Sequence, residues 1–235
     1  MIPIPLNDNV RRRTFWTVTL LLIIVNTWAF LYELSLGHLL NRFIFIYGVV
    51  PGRYMTSQGL VIPDFLALFV PVFVSMFLHG GWLHLIGNML FLFVFGRSVE
   101  DRFGHGKFLI LYFLSGLGAA FLHIYLNAGS RIPSIGASGA IAGVLGAYFV
   151  CFPRARITTL IFLIFFFWTI QLPALLVLGY WFLVQFVTGF QMLAIQSATG
   201  GGVAWWAHVG GFLTGLILAL IFQPRRARVE MIRPY

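Results

Sequence analysis

Ser138 lies among glycine and alanine residues in the stretch GASGA (136–140), at the start of a long apolar segment. A serine hydroxyl becomes an effective nucleophile when a nearby base accepts its proton. His208, in the stretch WWAHVGGFLTG, is the natural base, because imidazole changes its charge near neutral pH. This pair could cleave an amide by nucleophilic catalysis, and the chemistry requires no metal and no cofactor.

Other polar residues could stabilise the oxyanion that forms during amide cleavage. The stretch FLHGGWLHLIGNML contains His79, His84 and Asn88. His84 and Asn88 are four residues apart and therefore share one helical face, where each offers an N–H donor. The turn at 136–138 adds backbone N–H groups at a helix N-terminus, where the dipole favours negative charge. His79 and His84 are poorly spaced for chelation, and HExxH is absent, so we predict no metal site.

The acidic residues argue against two other intramembrane activities. The chain contains six of them, namely Asp8, Glu33, Asp64, Glu100, Asp101 and Glu230. None lies deep within a predicted span, which disfavours both proton transport through carboxylates and an aspartyl protease. The spans also offer no acidic third member for a Ser-His-Asp triad. The sequence therefore favours a Ser138–His208 dyad.

The composition is typical of an integral membrane protein. Of the 235 residues, 60% are hydrophobic and 9% are charged, whereas soluble domains carry about 25% charged residues. We predict an all-α, polytopic bundle of six transmembrane helices in one domain, 1–235, with a core at about 15–223 and short cytoplasmic tails. The predicted spans lie at about 15–36, 82–96, 107–127, 138–152, 171–189 and 204–223, of which the second and fourth are short.

Two further apolar segments do not fit this scheme as full crossings. Segment 63–78 contains Pro63 and Pro71, so we interpret it as interfacial or re-entrant. Segment 157–170 has no clear place in the bundle. The glycine-containing stretch QSATGGG before the sixth span predicts a mobile lid beside a fifth span that can lean outward.

The basic residues follow membrane topology. With a cytoplasmic N-terminus, twelve fall inside: Arg11, Arg12, Arg13, Arg97, Arg102, Lys107, Arg154, Arg156, Arg225, Arg226, Arg228 and Arg233. Three fall outside: Arg42, Arg53 and Arg131. This bias obeys the positive-inside rule. The net charge of +9 therefore indicates topology and contact with anionic lipid rather than nucleic-acid binding.

Membrane topology also predicts that the polar residues of three spans lie close together. The second, fourth and sixth spans run from outside to inside, which places His84, Asn88, Ser138 and His208 at similar depth near the outer side. Small residues four apart allow helix backbones to approach closely in lipid. The fourth span has such a pair at 139 and 143, and the sixth has one at 211 and 215. Close packing of these two spans would bring Ser138 to His208.

Four motifs resemble those of the rhomboid intramembrane serine proteases of bacterial type. They are HGGWLHLIGN, FGRSVEDRFG, GASGAIAGVLGAY and AHVGGFLTG, and the resemblance covers about residues 43–223. It implies a six-span bundle around a water-filled cavity that opens to the outside of a bacterial cytoplasmic membrane. It also implies hydrolysis of peptide bonds in or next to transmembrane segments of other membrane proteins.

The resemblance assigns roles by position. Ser138 is the nucleophile, with Gly136 two residues before it, and His208 is the base. His84 and Asn88 are oxyanion-side residues, and His79 is the outer histidine of the same motif. Family members often have an aromatic residue four positions after the serine, where this chain has Ala142, so the sequence assigns no residue that orients His208.

Two other functions remain as alternatives. The first is a catalytically silent rhomboid-like protein that binds or chaperones membrane clients, since the family includes inactive relatives without the dyad. The second is a small transporter, which the lack of intramembrane acids disfavours. The expected partners are transmembrane protein substrates and the lipid bilayer, and the sequence does not assign an oligomeric state.

Overall fold

The computed structural model describes residues 4–56, 59–60, 64–163, 166–195, 204–222 and 231. The α-helices in these ranges are α1 (Thr17–Ser35), α2 (Leu40–Tyr47), α3 (Phe65–Ser75), α4 (Trp82–Phe91), α5 (Arg97–Phe103), α6 (His105–Leu126), α7 (Ser138–Cys151), α8 (Ala174–Ile195) and α9 (Trp205–Ile221). A π-helical turn, Leu92–Gly96, joins α4 to α5. The predicted lid, QSATGGG, lies outside the described residues.

Each of the six predicted spans contains a helix, which confirms a helical membrane protein. Within the described ranges, four helical segments are long and apolar enough to cross a membrane, namely Thr17–Ser35, Trp82–Phe103, His105–Leu126 and Ala174–Met192. Helices α7 and α9 are shorter. The prediction of a short second span was wrong, because the π-turn carries the helix on from Phe91 to Phe103.

The structure also contains β-strands that the all-α prediction did not include. Segment 157–170 forms most of an antiparallel pair, β4 (Arg156–Leu163) and β5 (Phe166–Pro173). These strands are rich in β-branched and aromatic residues, which favour β structure. Part of the predicted N-terminal tail forms β1 (Ile4–Asp8), which completes a sheet of order β1-β4-β5. A short pair, β2 (Met55–Thr56) and β3 (Gly59–Leu60), precedes α3.

Segment 63–78 contains α3, which has 11 residues. At ~1.5 Å per residue this helix is about 16 Å long, too short for ~30 Å of hydrocarbon. This length agrees with the prediction that the segment does not cross the membrane.

Helix α7 lies at the centre of the bundle and packs closely against α9. A Cβ atom placed on Gly211 would lie 1.9 Å from the carbonyl oxygen of Gly139, and one on Gly215 would lie 1.9 Å from that of Gly143. Only glycine permits backbones this close. The packing predicted from the two glycine pairs is therefore present.

Two of the buried acids lie in helices long enough to span a membrane, although the sequence suggested no acid deep in a span. Glu100 is fully buried, because the helix of the second span extends past it. Its carboxylate accepts hydrogen bonds from the backbone N–H groups of Val18 and Thr19 and from the Thr19 hydroxyl. It thereby satisfies N–H groups at the start of α1 that have no intrahelical acceptor. The second acid, Glu33, lies in the last turn of α1 and is 1% exposed.

Candidate active site

Ser138 and His208 are hydrogen-bonded to each other. Ser138 is the first residue of α7, and His208 lies in the first turn of α9. The Ser138 Oγ atom lies 2.8 Å from His208 Nε2, which is ideal for a hydrogen bond between them. The close packing of α7 and α9 brings together two residues that are 70 positions apart in the chain.

Gln185 and Trp181, both on α8, orient the His208 ring. The Gln185 Oε1 atom lies 2.7 Å from His208 Nδ1, and both side chains are buried. An amide oxygen only accepts hydrogen bonds, so the proton is on Nδ1 and the Nε2 lone pair is free to accept from Ser138. The Trp181 ring lies 5.8 Å from the imidazole at an angle of 36°.

Gln185 and Trp181 thus orient His208, a role for which the sequence indicated no residue. The position four after the serine, Ala142, lies in the cavity wall without an aromatic ring, and the aromatic contact comes from Trp181 on another helix. Gln185 left a signal in the sequence, because it is a polar amide in the interior of a predicted span, where polar groups are costly. The sequence-based prediction rested on the acids, the histidines, Asn88 and Ser138, and it did not include this glutamine.

His84 presents an N–H group toward the backbone next to Ser138. The Gly80 backbone N–H lies 3.3 Å from His84 Nδ1 and donates to it, so the ring proton is on Nε2. A Cβ atom on Gly136 would lie 2.9 Å from His84 Nε2. Gly136 also has a φ of +129°, a conformation that residues with side chains rarely adopt. Position 136 therefore requires glycine for two independent reasons.

Asn88 and the helix start offer further donors. Asn88 is 8% exposed, and its Nδ2 has no hydrogen-bond partner among the described residues. Ser138 begins α7, so its N–H has no intrahelical acceptor. The Gly136 N–H, predicted as a donor of the same turn, instead donates to the Ser75 carbonyl oxygen at 2.8 Å.

A cavity of about 710 Å³ brings the polar residues together. This volume lies within the range of ligand-binding pockets. Its polar lining consists of His84, Asn88, Ser134, Ser138 and His208. Most of the remaining wall is apolar and includes Leu83, Phe91, Ile135, Ile141, Ala142, Leu145, Trp181 and Ala204. His208 contributes little surface, being 8% exposed.

His79 does not reach this cavity. It is 2% exposed, and its ring lies 5.1 Å from that of His84 in an edge-on arrangement. Its backbone N–H donates to the carboxylate of Glu33. The structure thus places His79 behind His84, away from the space a substrate would occupy.

Comparison with known proteins reveals the family. The family model for the Rhomboid domain matches residues 68–225. The chain is 33% identical over 153 residues to RHOMBOID-like protein 5 of Arabidopsis thaliana, covering 64% of this chain and 43% of that protein. It is 28% identical over 174 residues to Rhomboid protein 1, mitochondrial, of Saccharomyces cerevisiae, covering 70% and 45%.

A third relative is Presenilin-associated rhomboid-like protein, mitochondrial, of Bos taurus, with 30% identity over 191 residues, covering 75% of this chain and 45% of that protein. The chain thus spans less than half the length of these three relatives. All three are eukaryotic, so the comparisons do not bear out the bacterial-type part of the prediction. Since the family model matches more than half of the chain, the chain belongs to the rhomboid family.

Proposed function

We propose that this protein is an intramembrane serine endopeptidase that cleaves peptide bonds in or next to transmembrane segments of other membrane proteins. The observation that carries the proposal is the 2.8 Å hydrogen bond between Ser138 and His208 beside the cavity. Ser138 is the nucleophile and His208 the general base. Membership of the rhomboid family supports the same chemistry.

In acylation, Ser138 Oγ attacks the scissile carbonyl carbon while His208 Nε2 accepts the hydroxyl proton. The resulting imidazolium keeps its Nδ1–H hydrogen bond to Gln185, which holds the ring in place. His208 then transfers the proton from Nε2 to the leaving amine nitrogen, and the C–N bond breaks to leave an acyl ester on Ser138. A water molecule, deprotonated by His208, hydrolyses the ester and regenerates the serine.

The oxyanion of each tetrahedral intermediate would lie between the N–H donors of His84, Asn88 and Ser138. The orientation of His84 Nε2 toward Gly136 and the unpartnered Asn88 Nδ2 support this assignment. Donors that are fixed before the reaction stabilise the developing charge without reorganisation.

The length of α7 supports a site below the membrane surface. Its 14 residues span about 21 Å at ~1.5 Å per residue, against ~30 Å of hydrocarbon. If α7 ends at one interface, Ser138 lies roughly 9 Å below the other. The cavity would supply hydrolytic water at that depth, where irregular backbone must line protein or a wet space.

The bias of basic residues supports an orientation with both termini on the cytoplasmic side and the cavity open to the opposite side. We further propose that the whole chain forms one membrane-embedded domain. Transmembrane proteins are then its substrates, and the bilayer is its solvent.

Reconstitution tests the proposed function. The protein would be incorporated into vesicles with a tagged single-span reporter, and products would be followed by mass spectrometry. Wild type and Ser130→Ala, which removes an exposed loop hydroxyl, are expected to cleave the reporter, while Ser138→Ala is not. Binding of the reporter without cleavage by wild type would instead identify a catalytically silent binder of membrane clients.

A further inference from the structure

A buried carboxylate that the proposed mechanism does not use lies behind the oxyanion side. Glu33 is 1% exposed, and its two carboxylate oxygens lie 3.0 and 3.3 Å from the backbone nitrogen of His79. Burial of a carboxylate is costly unless hydrogen bonds compensate it. We propose that Glu33 is a positioning residue that fixes the ring proton of His84 on Nε2, an inference that rests on the proposed function.

Glu33 acts through the turn that precedes α4. Its consecutive backbone N–H groups point to two different acceptors: that of His79 to Glu33, and that of Gly80 to His84 Nδ1. Gly81 completes the turn with a φ of +152°, which favours glycine. By accepting the His79 N–H, Glu33 fixes one peptide group of the turn. It thereby also fixes the next peptide group, whose Gly80 N–H donates to His84 Nδ1.

The Gly80 N–H of this turn determines which nitrogen of the His84 ring carries the proton. Because Nδ1 accepts the Gly80 N–H at 3.3 Å, the neutral ring carries its proton on Nε2. That nitrogen faces the backbone at Gly136, next to Ser138. Without the Gly80 donor, the proton could shift to Nδ1, and a lone pair on Nε2 would then face the developing oxyanion. Glu33 thus acts on the reaction through the tautomer of His84.

His79 itself is held by two hydrogen bonds, one from its backbone and one from its ring. Its Nδ1 lies 3.2 Å from the Phe77 carbonyl oxygen, so that nitrogen carries the proton. The side chain is therefore bonded back to its own turn, while the backbone is bonded to Glu33. This arrangement explains why His79 is buried beside His84 and does not line the cavity.

A double-mutant cycle tests the proposal. Glu33→Ala is expected to lower kcat about tenfold, less than the 10²–10³ that loss of an oxyanion donor costs, and to change KM less than about twofold. Glu33→Gln keeps one acceptor oxygen and is expected to restore most of the rate. In a His84→Ala background, Glu33→Ala is expected to change kcat less than about twofold, because residues acting through one group are not additive. Thr27→Ala, which removes a hydroxyl bonded within α1, is the matched control.

A second measurement does not depend on activity. The chain has six histidines, so ¹⁵N-histidine labelling resolves tautomers by NMR. We expect His84 to carry its proton on Nε2 in wild type and to gain the Nδ1–H form in Glu33→Ala. Unchanged kinetics of Glu33→Ala in an active enzyme, or an equal effect with and without His84, would overturn the positioning role. If wild type cleaves nothing, the proposed function fails, and the His84 tautomers of wild type and Glu33→Ala then decide the role of Glu33: an unchanged tautomer in Glu33→Ala would overturn it.

Discussion

Substitution of Gly211 by alanine should separate the catalytic pair without touching either member. The added Cβ would lie 1.9 Å from the Gly139 carbonyl oxygen, whereas close carbon–oxygen contacts are about 3.3 Å. The obstacle is backbone and cannot rotate away, so α9 must move from α7 by about 1.4 Å.

His208 is one turn from Gly211 on α9 and moves with it. If the helix shifts as a rigid body away from α7, the 2.8 Å separation of Ser138 Oγ and His208 Nε2 grows to about 4.2 Å, beyond hydrogen-bond range. A misplacement of about 1 Å can cost about 10² in rate. We therefore expect kcat/KM for Gly211→Ala to fall about a hundredfold.

The assay is cleavage of a single-span reporter in vesicles, with thermal unfolding as a check of the fold. Gly106→Ala on α6 is the matched control, because a Cβ there meets nothing within 4 Å. It should keep the wild-type rate and should not lower Tm. A folded Gly211→Ala variant that cleaves at the wild-type rate would refute the claim that glycine contacts between α7 and α9 set the dyad geometry.

Four further predictions concern the site itself. Ser138→Ala and His208→Ala should each abolish cleavage, and the double variant should be no worse; additive losses in kcat would contradict a dyad. Asn88→Ala should lower kcat about 10²–10³-fold, and a wild-type kcat would exclude it as an oxyanion donor. Gln185→Leu should lower kcat and change KM little, because the Nδ1–H of the His208 ring loses its hydrogen-bond acceptor. A change in KM alone would instead indicate that Gln185 binds substrate. A pH–rate profile should fall on the acidic side, where protonated His208 cannot accept a proton, and a flat profile would count against a histidine base.

The sequence was most informative where polar and small residues interrupt apolar helices. Ser138, His208 and Asn88 stand out because polar groups in a span are costly, and glycine pairs four apart indicate close helix contact. Topology then predicted their common depth. These are local patterns with a strong physical cost, so one sequence suffices to read them.

Features that depend on distant pairing were missed. Strand β1 pairs with β4 about 150 residues away, and hydropathy along the chain carries no information on that pairing. Gln185 orients His208 across two helices, which only the packing of α8 against α9 reveals. Likewise, the bond from the Gly136 N–H to Ser75 depends on how α3 ends, so the sequence assigned that N–H to the oxyanion.

The central claim is that Ser138 is a nucleophile activated by His208, and a covalent adduct tests it most directly. Wild-type protein in vesicles would be treated with a fluorophosphonate and digested, and the modified residue would be identified by mass spectrometry. We predict one adduct, on Ser138, that disappears in both Ser138→Ala and His208→Ala. Failure of Ser138 to react in wild type, or undiminished labelling of Ser138 in folded His208→Ala, would contradict the account.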